Sequence, residues 1–218
     1  MNQGTLRIEI DGEWTLEDWY MFPRVISQVY SFLYSITEIK MLKELPDEDD
    51  RLYITYSAHP WRGGYSAVNF YNYLQTLIPK NLRPRVVSIH YSSPGFFELG
   101  LAVVVAISIR KIVKAFCDSG KDIISLYNEV YNGMQKRKLL SISVKREDLQ
   151  FQKEHIKFIE KSLTSLSQMM SFEGISELKQ ITPNELAALK ILLSFYRRVR
   201  ILAEYQKSGK ADFDEYDS

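Results

Sequence analysis

The loop at residues 59–65 is where the sequence concentrates side chains able to bind a ligand. It comprises His59, Pro60, Trp61, Arg62, Gly63, Gly64 and Tyr65. Backbone amides at the start of a helix attract anions, and glycines let a ligand approach the backbone closely. Arg62 can pair with phosphate or carboxylate, and Trp61 can stack on a ring. The spacing matches neither the phosphate-loop nor the dinucleotide-binding motif. An anion or nucleotide site is one interpretation, and a tight turn with an aromatic anchor is the other.

A basic cluster lies further along the chain and offers a second kind of chemistry. It contains Lys136, Arg137 and Lys138, and Lys145 and Arg146 continue it. Such a cluster can meet nucleic acid or an anionic membrane surface, although a solvated helix end has the same composition. The formal net charge of the whole chain is only +1. Nucleic acid is therefore a partner that the sequence allows without favouring.

Residues that hold metals or perform catalysis form no recognisable pattern in this sequence. The single cysteine, Cys117, excludes an internal disulfide and any cysteine-based metal cluster. The three histidines, His59, His90 and His155, are far apart, and the acidic run at residues 47–50 lacks the spacing of a calcium loop. Neither of the common serine-hydrolase and zinc-protease motifs occurs. We therefore predict no metal, no cofactor and no catalytic residues, which favours a protein that is not an enzyme.

Two apolar stripes with heptad spacing dominate the last third of the chain, in predicted helices at about 149–171 and 182–208. Thr182 is predicted to cap the second of these helices. The stripes consist of Ile156, Ile159, Leu163, Leu166, Met170, Leu192, Phe195, Val199 and Leu202. A hairpin of the two helices can pack on the N-terminal part and complete a monomeric core. Alternatively, it presents an interaction surface to a second copy or to another protein. We favour the interaction surface, which predicts a homo-oligomer or a protein partner.

The charge distribution along the chain is compatible with contacts between copies. Residues 1–60 carry a balance of −6, residues 61–150 carry +7, and residues 151–218 are balanced. The acidic segment can attract the basic segment within one chain or between neighbouring copies. The prediction of self-association therefore has an electrostatic as well as an apolar basis.

The elements that position these residues alternate between helix and strand. Thr15 is predicted to cap the first long helix, whose pattern includes Pro23. Residues 118–120 are predicted to break a helix, and Asn132-Gly133 to form a turn. Strands are predicted at 5–10, 51–56, 85–91 and 96–101, and further helices at 65–77, 102–116 and 121–131.

This order of elements predicts an α+β fold with a small, mostly antiparallel sheet, helices packed on one face, and a C-terminal helical hairpin. We assign residues 1–116 to the α+β unit, 117–209 to the helical region and 210–218 to a disordered acidic tail. The N-terminus lacks a basic and apolar leader, and the apolar run at 99–109 is too short to span a bilayer. The sequence therefore predicts a cytoplasmic protein with no transmembrane segment.

The segment from Ser92 to Leu99, Ser-Ser-Pro-Gly-Phe-Phe-Glu-Leu, lies between a predicted strand and a very hydrophobic helix. In this motif the chain resembles a loose group of uncharacterised small bacterial α/β proteins, over residues 5–116 at most. The resemblance implies a bacterial cytosolic protein that serves as an accessory component of a defence or stress system. It supplies no catalytic residues. Together with the apolar stripes, it leads us to expect a non-enzymatic interaction or scaffold subunit.

Overall fold

The protein folds around one four-stranded antiparallel sheet. The computed structural model describes residues 1–42, 47, 50–58, 61, 64–142 and 152–213. The strands are β1 (Gln3–Ile10), β2 (Arg85–His90), β3 (Gly95–Ala102) and β4 (Ala211–Asp212). They lie in the order β2-β3-β1-β4, and each neighbouring pair is antiparallel.

Seven α-helices fill the two long connections between these strands within the described residues. Between β1 and β2 lie α1 (Leu16–Leu42), α2 (Arg51–Ser57) and α3 (Gly64–Leu77). Between β3 and β4 lie α4 (Val103–Lys136), α5 (Lys153–Met169), α6 (Ile175–Ile181) and α7 (Glu185–Lys207). The strand order is that of the β-α-β-β-α-β motif, in which each single helix is here replaced by several.

The sheet has one covered face and one open face, as the alternation of its residues requires. Leu6 and Ile8 of β1 and Phe97 and Leu99 of β3 are buried beneath the helices. Residues such as Arg7 alternate with them and lie on the other face. Helices therefore pack on one side of the sheet, as predicted.

Helix α7 lies at the centre of the molecule and contacts α1, α4 and α5. Phe195 illustrates its environment: its ring centroid is 4.4 Å from that of Phe32 in α1 and 5.7 Å from that of Phe172. One continuous apolar core contains residues from the sheet, from α1 and from α7. The predicted boundary at residues 116 and 117 falls inside α4.

Several local predictions are confirmed by this structure, beginning with the α+β class. Thr15 caps α1, because its Oγ1 accepts a hydrogen bond from the Asp18 amide while the Asp18 carboxylate accepts from the Thr15 amide. Helix α1 begins at Leu16 and continues through Pro23. The predicted strands at 85–91 and 96–101 correspond to β2 and β3, which pair as a hairpin. The predicted break in α4 lies at Gly120, whose φ of +53° is in the region that favours glycine.

The predicted strand at residues 51–56 is wrong, because this segment forms helix α2. The Asp50 side chain accepts a hydrogen bond from the Leu52 amide at 2.6 Å and so caps the helix. Leu52, Thr55 and Tyr56 are buried on one helical face, whereas Ile54 is 46% exposed. The apolar residues thus follow a helical period that the short segment did not distinguish from alternation.

The predicted turn at Asn132-Gly133 is also wrong, because both residues lie inside α4. A Cβ atom at Gly133 would lie 2.6 Å from the ring of Phe158 in α5. The glycine therefore permits close packing of two helices instead of a turn. Sequence reasoning correctly noted the residue but assigned it the wrong role.

Two predictions at the end of the chain need correction. The cap of α7 is Asn184, whose side chain accepts from the Ala187 amide at 3.0 Å, while the Thr182 hydroxyl bonds back to Leu178. In the predicted disordered tail, Ala211 and Asp212 form β4 against β1. Residues 214–218 of that tail lie outside the described part of the chain.

Candidate functional site

The predicted ligand loop is only partly described by the structure. His59, Arg62 and Gly63 lie outside the described residues, and Gly64 and Tyr65 begin α3. Trp61 is 6% exposed, and its ring meets that of Phe70 edge-on at a centroid distance of 5.1 Å. Its φ of +50° is in the left-handed region. Trp61 is therefore an aromatic anchor, while the choice between a tight turn and a ligand site stays a prediction.

A buried lysine in α7 connects this loop to the segment after the basic cluster. Lys190 is 6% exposed, and its Nζ donates to three backbone carbonyl oxygens. The distances are 3.2 Å to Trp61, 3.0 Å to Leu140 and 2.8 Å to Ile142. The same ammonium group therefore binds the loop at Trp61 and the segment at residues 140–142, which are far apart in the sequence. Each of these three carbonyl oxygens accepts a charge-assisted hydrogen bond from the ammonium group, so none of them needs a water molecule as its partner.

The basic cluster borders a groove between α4 and α5. Lys136 and Arg137 line this groove, which has a volume of about 790 Å³, together with Lys157, Lys161, Glu129 and Glu154. The Arg137 guanidinium lies 4.2 Å from the centroid of the Phe158 ring. Lys138 is exposed beyond the helix, and Lys145 and Arg146 lie outside the described residues. The groove mixes both charges on exposed side chains, which is typical of a solvated surface.

The predicted interaction surface is almost entirely inside the core. Ile159, Leu163, Leu166, Met170, Leu192, Phe195, Val199 and Leu202 are each at most 1% exposed. Ile156 alone is substantially exposed, at 39%. A partner cannot reach the two stripes in this structure. They complete the monomeric core instead, which is the alternative that the sequence left open.

The other titratable residues considered as candidates make contacts within the fold. Asp50 caps α2, and the Cys117 thiol lies 3.8 Å from the Ala203 carbonyl oxygen. His90 stacks on Phe96 at a centroid distance of 5.5 Å, and His155 is half-buried on α5. Within the described ranges, no three His, Cys, Asp or Glu side chains gather to hold a metal ion. No helix of the described part combines the length and apolar character needed to cross a membrane.

Strand β2 presents the surface that sequence reasoning missed. It is an edge strand, and Val86, Val87 and Ile89 are 53%, 52% and 47% exposed. Tyr91, just after it, is 55% exposed. Edge strands carry unpaired backbone donors and acceptors, and natural proteins usually protect them with charges, prolines, β-bulges or short length. Along its middle, β2 combines this unpaired backbone with apolar side chains.

The opposite edge of the sheet shows how such protection is achieved. Strand β4 has only two residues, one of them Asp212, whose carboxylate accepts a hydrogen bond from the Gln206 side chain at 2.8 Å. An edge this short offers little backbone for another strand to join. Strand β4 pairs only with Glu9 and Ile10, so residues 3–8 of β1 also have β3 as their one neighbour in the sheet. The apolar side chains of this stretch, Leu6 and Ile8, are buried, so β2 is the edge that exposes apolar side chains.

The open face of the sheet is already satisfied by its own side chains. Arg7 pairs with Glu9 at 3.0 Å and lies 4.0 Å from the centroid of the Phe96 ring. Ser88 of β2 donates a short hydrogen bond to Glu98 of β3. The charges balance locally, so this face does not form the positive surface that a nucleic-acid phosphate backbone requires.

A weak signal for the β2 surface was present in the sequence. Residues 85–90 read Arg-Val-Val-Ser-Ile-His, with two adjacent valines that no strict alternation explains. The structure shows a register irregularity between Val86 and Ser88, which leaves Val87 as an extra residue. The sequence predicted a strand here, but only the sheet order shows that the strand lies at an edge.

Comparison of the chain with protein-family models, with curated proteins and with solved structures found no match.

Proposed function

We propose that this protein is an interaction subunit that pairs with a second copy of itself through the edge of β2. The observation that carries the proposal is the exposure of the apolar side chains of Val86, Val87 and Ile89 along an edge strand. Adding a strand to such an edge satisfies backbone hydrogen bonds and covers apolar side chains at the same time. The two copies would form one continuous eight-stranded sheet.

The side-chain pattern of β2 is self-complementary in one antiparallel register. Val86 and Ile89 pair with the buried Leu99 and Phe97 of β3, so both belong to the helix-covered face. In a two-fold pair of β2 strands, Val86 of one copy lies opposite Ile89 of the other, and the symmetry repeats this contact. Residues opposite each other share a face in antiparallel strands, so the two apolar pairs continue the covered face across the interface.

The irregularity at Val87 fits the same register. Two residues, Val87 and Ser88, separate Val86 from Ile89 in each copy. In the two-fold arrangement Val87 lies opposite Ser88, so equal numbers of residues face each other and no new bulge is needed. Shifting the register by one residue would place Val86 opposite His90, which lies on the open face. The faces of the side chains therefore disfavour a shift of this register by one residue.

Light scattering coupled to size-exclusion chromatography tests this proposal. At micromolar concentration we expect a species of twice the 25.5 kDa chain mass. Ile89→Lys should convert it to a monomer, because a charge replaces an apolar contact on both sides of the two-fold axis. Ile107→Lys is the matched control, since Ile107 is an isoleucine of similar exposure, 53%, on α4.

Hydrogen exchange gives a second measurement that does not depend on a variant. The amides of residues 85–90 should be protected at high protein concentration and lose that protection on dilution. A monomer at all concentrations would overturn the proposal, as would a dimer that Ile107→Lys dissociates and Ile89→Lys leaves intact. The link to a bacterial defence or stress system rests on the sequence resemblance and stays a prediction.

A further inference from the structure

A cavity of about 310 Å³ lies between α1, α4 and the connection from α5 to α6. Its lining is mainly apolar, and the apolar residues in it are Leu33, Ile36, Met41, Val104, Ile112 and Phe172. Sites for small molecules have volumes from about 300 Å³ upward and combine an apolar wall with a few polar groups. The cavity therefore has the size and the lining of a site for a small ligand.

The wall of the cavity beside the α5–α6 connection is closely packed. A Cβ atom at Gly174 would lie 2.2 Å from the Ile36 side chain, so the glycine lets the connection pass directly against α1. The ring of Phe172 lies 5.6 Å from that of Phe32 and 5.7 Å from that of Phe195, measured between centroids. These contacts hold the apolar wall of the cavity in one arrangement.

The mouth of the cavity exposes apolar side chains to solvent. Met41 and Val104 are 57% and 38% exposed, whereas Ile36 and Phe172 are buried. A ligand with an apolar chain would cover Met41 and Val104 and extend along the wall behind them. Removing this apolar surface from water is favourable, so the lining selects an apolar body.

The charged residues of the lining select the sign of the ligand's charge. Lys40 and Lys111 both line the cavity, and Glu173 is the acidic residue among the described lining residues. Lys111 forms an ion pair with Glu173, whereas no ion pair within the described residues involves Lys40. One positive charge of the lining is therefore not balanced by a carboxylate.

Two hydroxyl groups of the lining already donate to the backbone. The Thr37 hydroxyl donates to the Leu33 carbonyl oxygen at 2.7 Å, and the Ser108 hydroxyl donates to the Val104 carbonyl oxygen at 2.9 Å. A neutral polar ligand would find few other donors here. The Lys40 ammonium group can instead donate a charge-assisted hydrogen bond, which is strongest to a negatively charged acceptor.

We propose that this cavity binds a small monocarboxylate with an apolar chain, of the kind found in medium-chain fatty acids. The chain lies against Ile36, Ile112 and Phe172, and the carboxylate lies at Lys40. A carboxylate carries one negative charge, which matches the one unbalanced ammonium group, whereas a phosphate monoester carries about −1.5 to −2. The site lies on other elements than β2 and does not depend on the proposed dimer.

Titration with octanoate tests the proposal, followed by calorimetry and by the methyl resonances of the protein. We expect saturable binding that shifts the resonances of Ile36, Val104 and Ile112. The uncharged 1-octanol has the same chain length and should bind about ten-fold more weakly, because it loses the charge-assisted hydrogen bond. Acetate lacks the apolar chain and should show no measurable binding.

Two pairs of variants locate the site. Lys40→Gln should weaken octanoate binding about ten-fold, whereas Lys114→Gln, an exposed change on α4 outside the lining, should leave it unchanged. Val104→Glu places a negative charge at the mouth and should abolish binding. Ile107→Glu is its control, because Ile107 is exposed on the same helix but does not line the cavity.

Glu173→Gln should have the opposite effect. It removes a negative charge that repels the carboxylate and frees Lys111, so octanoate should bind several-fold more tightly. Absence of saturable octanoate binding would overturn the proposal. So would equal affinities for octanoate and 1-octanol, or octanoate binding that Val104→Glu leaves unchanged.

Discussion

Helix α7 and strand β2 are both rich in apolar residues, but only those of the helix are buried. Leu192, Phe195 and Val199 of α7 are fully buried, whereas Val86 and Ile89 of β2 are about half exposed. The helix is surrounded by α1, α4 and α5, but the strand has a neighbour on one side only. Apolar periodicity thus identifies a face that must be covered, while the topology decides whether the same chain covers it.

The largest expected effect comes from removing a buried side chain of α7. Phe195→Ala should lower the free energy of unfolding by about 3–5 kcal/mol, because it leaves a cavity between Phe32 and Phe172. Ile89→Ala should lower it by less than about 1 kcal/mol when measured on the monomer. Denaturant unfolding at low protein concentration gives both values. Equal losses in the two variants would remove the distinction between the helix and the strand.

A smaller loss is expected where α7 holds irregular segments in place. Lys190→Met keeps much of the side-chain volume but removes the donor to three carbonyl oxygens. We expect a loss of about 3 kcal/mol, since buried acceptors are left without partners. The exposed Lys207 on the same helix provides the control, and Lys207→Met should change stability by less than about 0.5 kcal/mol. If Lys190→Met left the free energy of unfolding unchanged, water would have to replace the ammonium group as donor to these carbonyl oxygens.

The smallest effect concerns the C-terminal end of α7 and depends on pH. Asp18 accepts hydrogen bonds from Tyr205 at 3.0 Å and Lys210 at 2.8 Å. Burial alone would raise the pKa of Asp18, but the bonds from Lys210, Thr15 and Tyr205 hold it well below the usual value. Asp18→Asn should therefore lower stability by about 1–2 kcal/mol at pH 7.

The sign of the pH dependence follows from the lowered pKa. The contribution of Asp18 is present above the unfolded-state pKa of about 4 and is lost as the pH falls below it, towards the folded-state pKa. The difference in unfolding free energy between the unmodified protein and Asp18→Asn should therefore shrink from pH 7 to pH 3. Glu204→Gln, an exposed change on α7, is the control. A difference that stays constant with pH would assign the effect of Asp18 to packing.

The sequence was sufficient for elements that carry their own local signals. The strands around the Ser93-Pro94-Gly95 turn, the Thr15 cap and the break at Gly120 were all predicted because a few neighbouring residues determine them. The segment at 51–56 was misassigned because its four apolar and aromatic residues fit either period. Only the Asp50 cap and the buried helical face distinguish them.

The candidate sites could not be predicted in the same way, because each depends on residues far apart in the chain. The exposed edge exists because β2 has only β3 beside it, which the order of strands along the chain does not state. Sequence reasoning chose the longest apolar stripes as the interaction surface, but nearly all of these residues are buried in the core.

The position of α7 also has a consequence for how the protein is made. Phe32 of α1 has its closest aromatic partner in Phe195, and the Trp14 indole donates to the Lys210 carbonyl, 196 residues further along the chain. A ribosome adds about 5–20 residues per second, so several seconds pass between completion of the β2-β3 hairpin and emergence of α7. During that interval the apolar face of α1 has no central helix to pack against. The nascent chain therefore passes through a stage in which its first half needs protection from other chains. That stage ends when α7 has emerged and packs against α1.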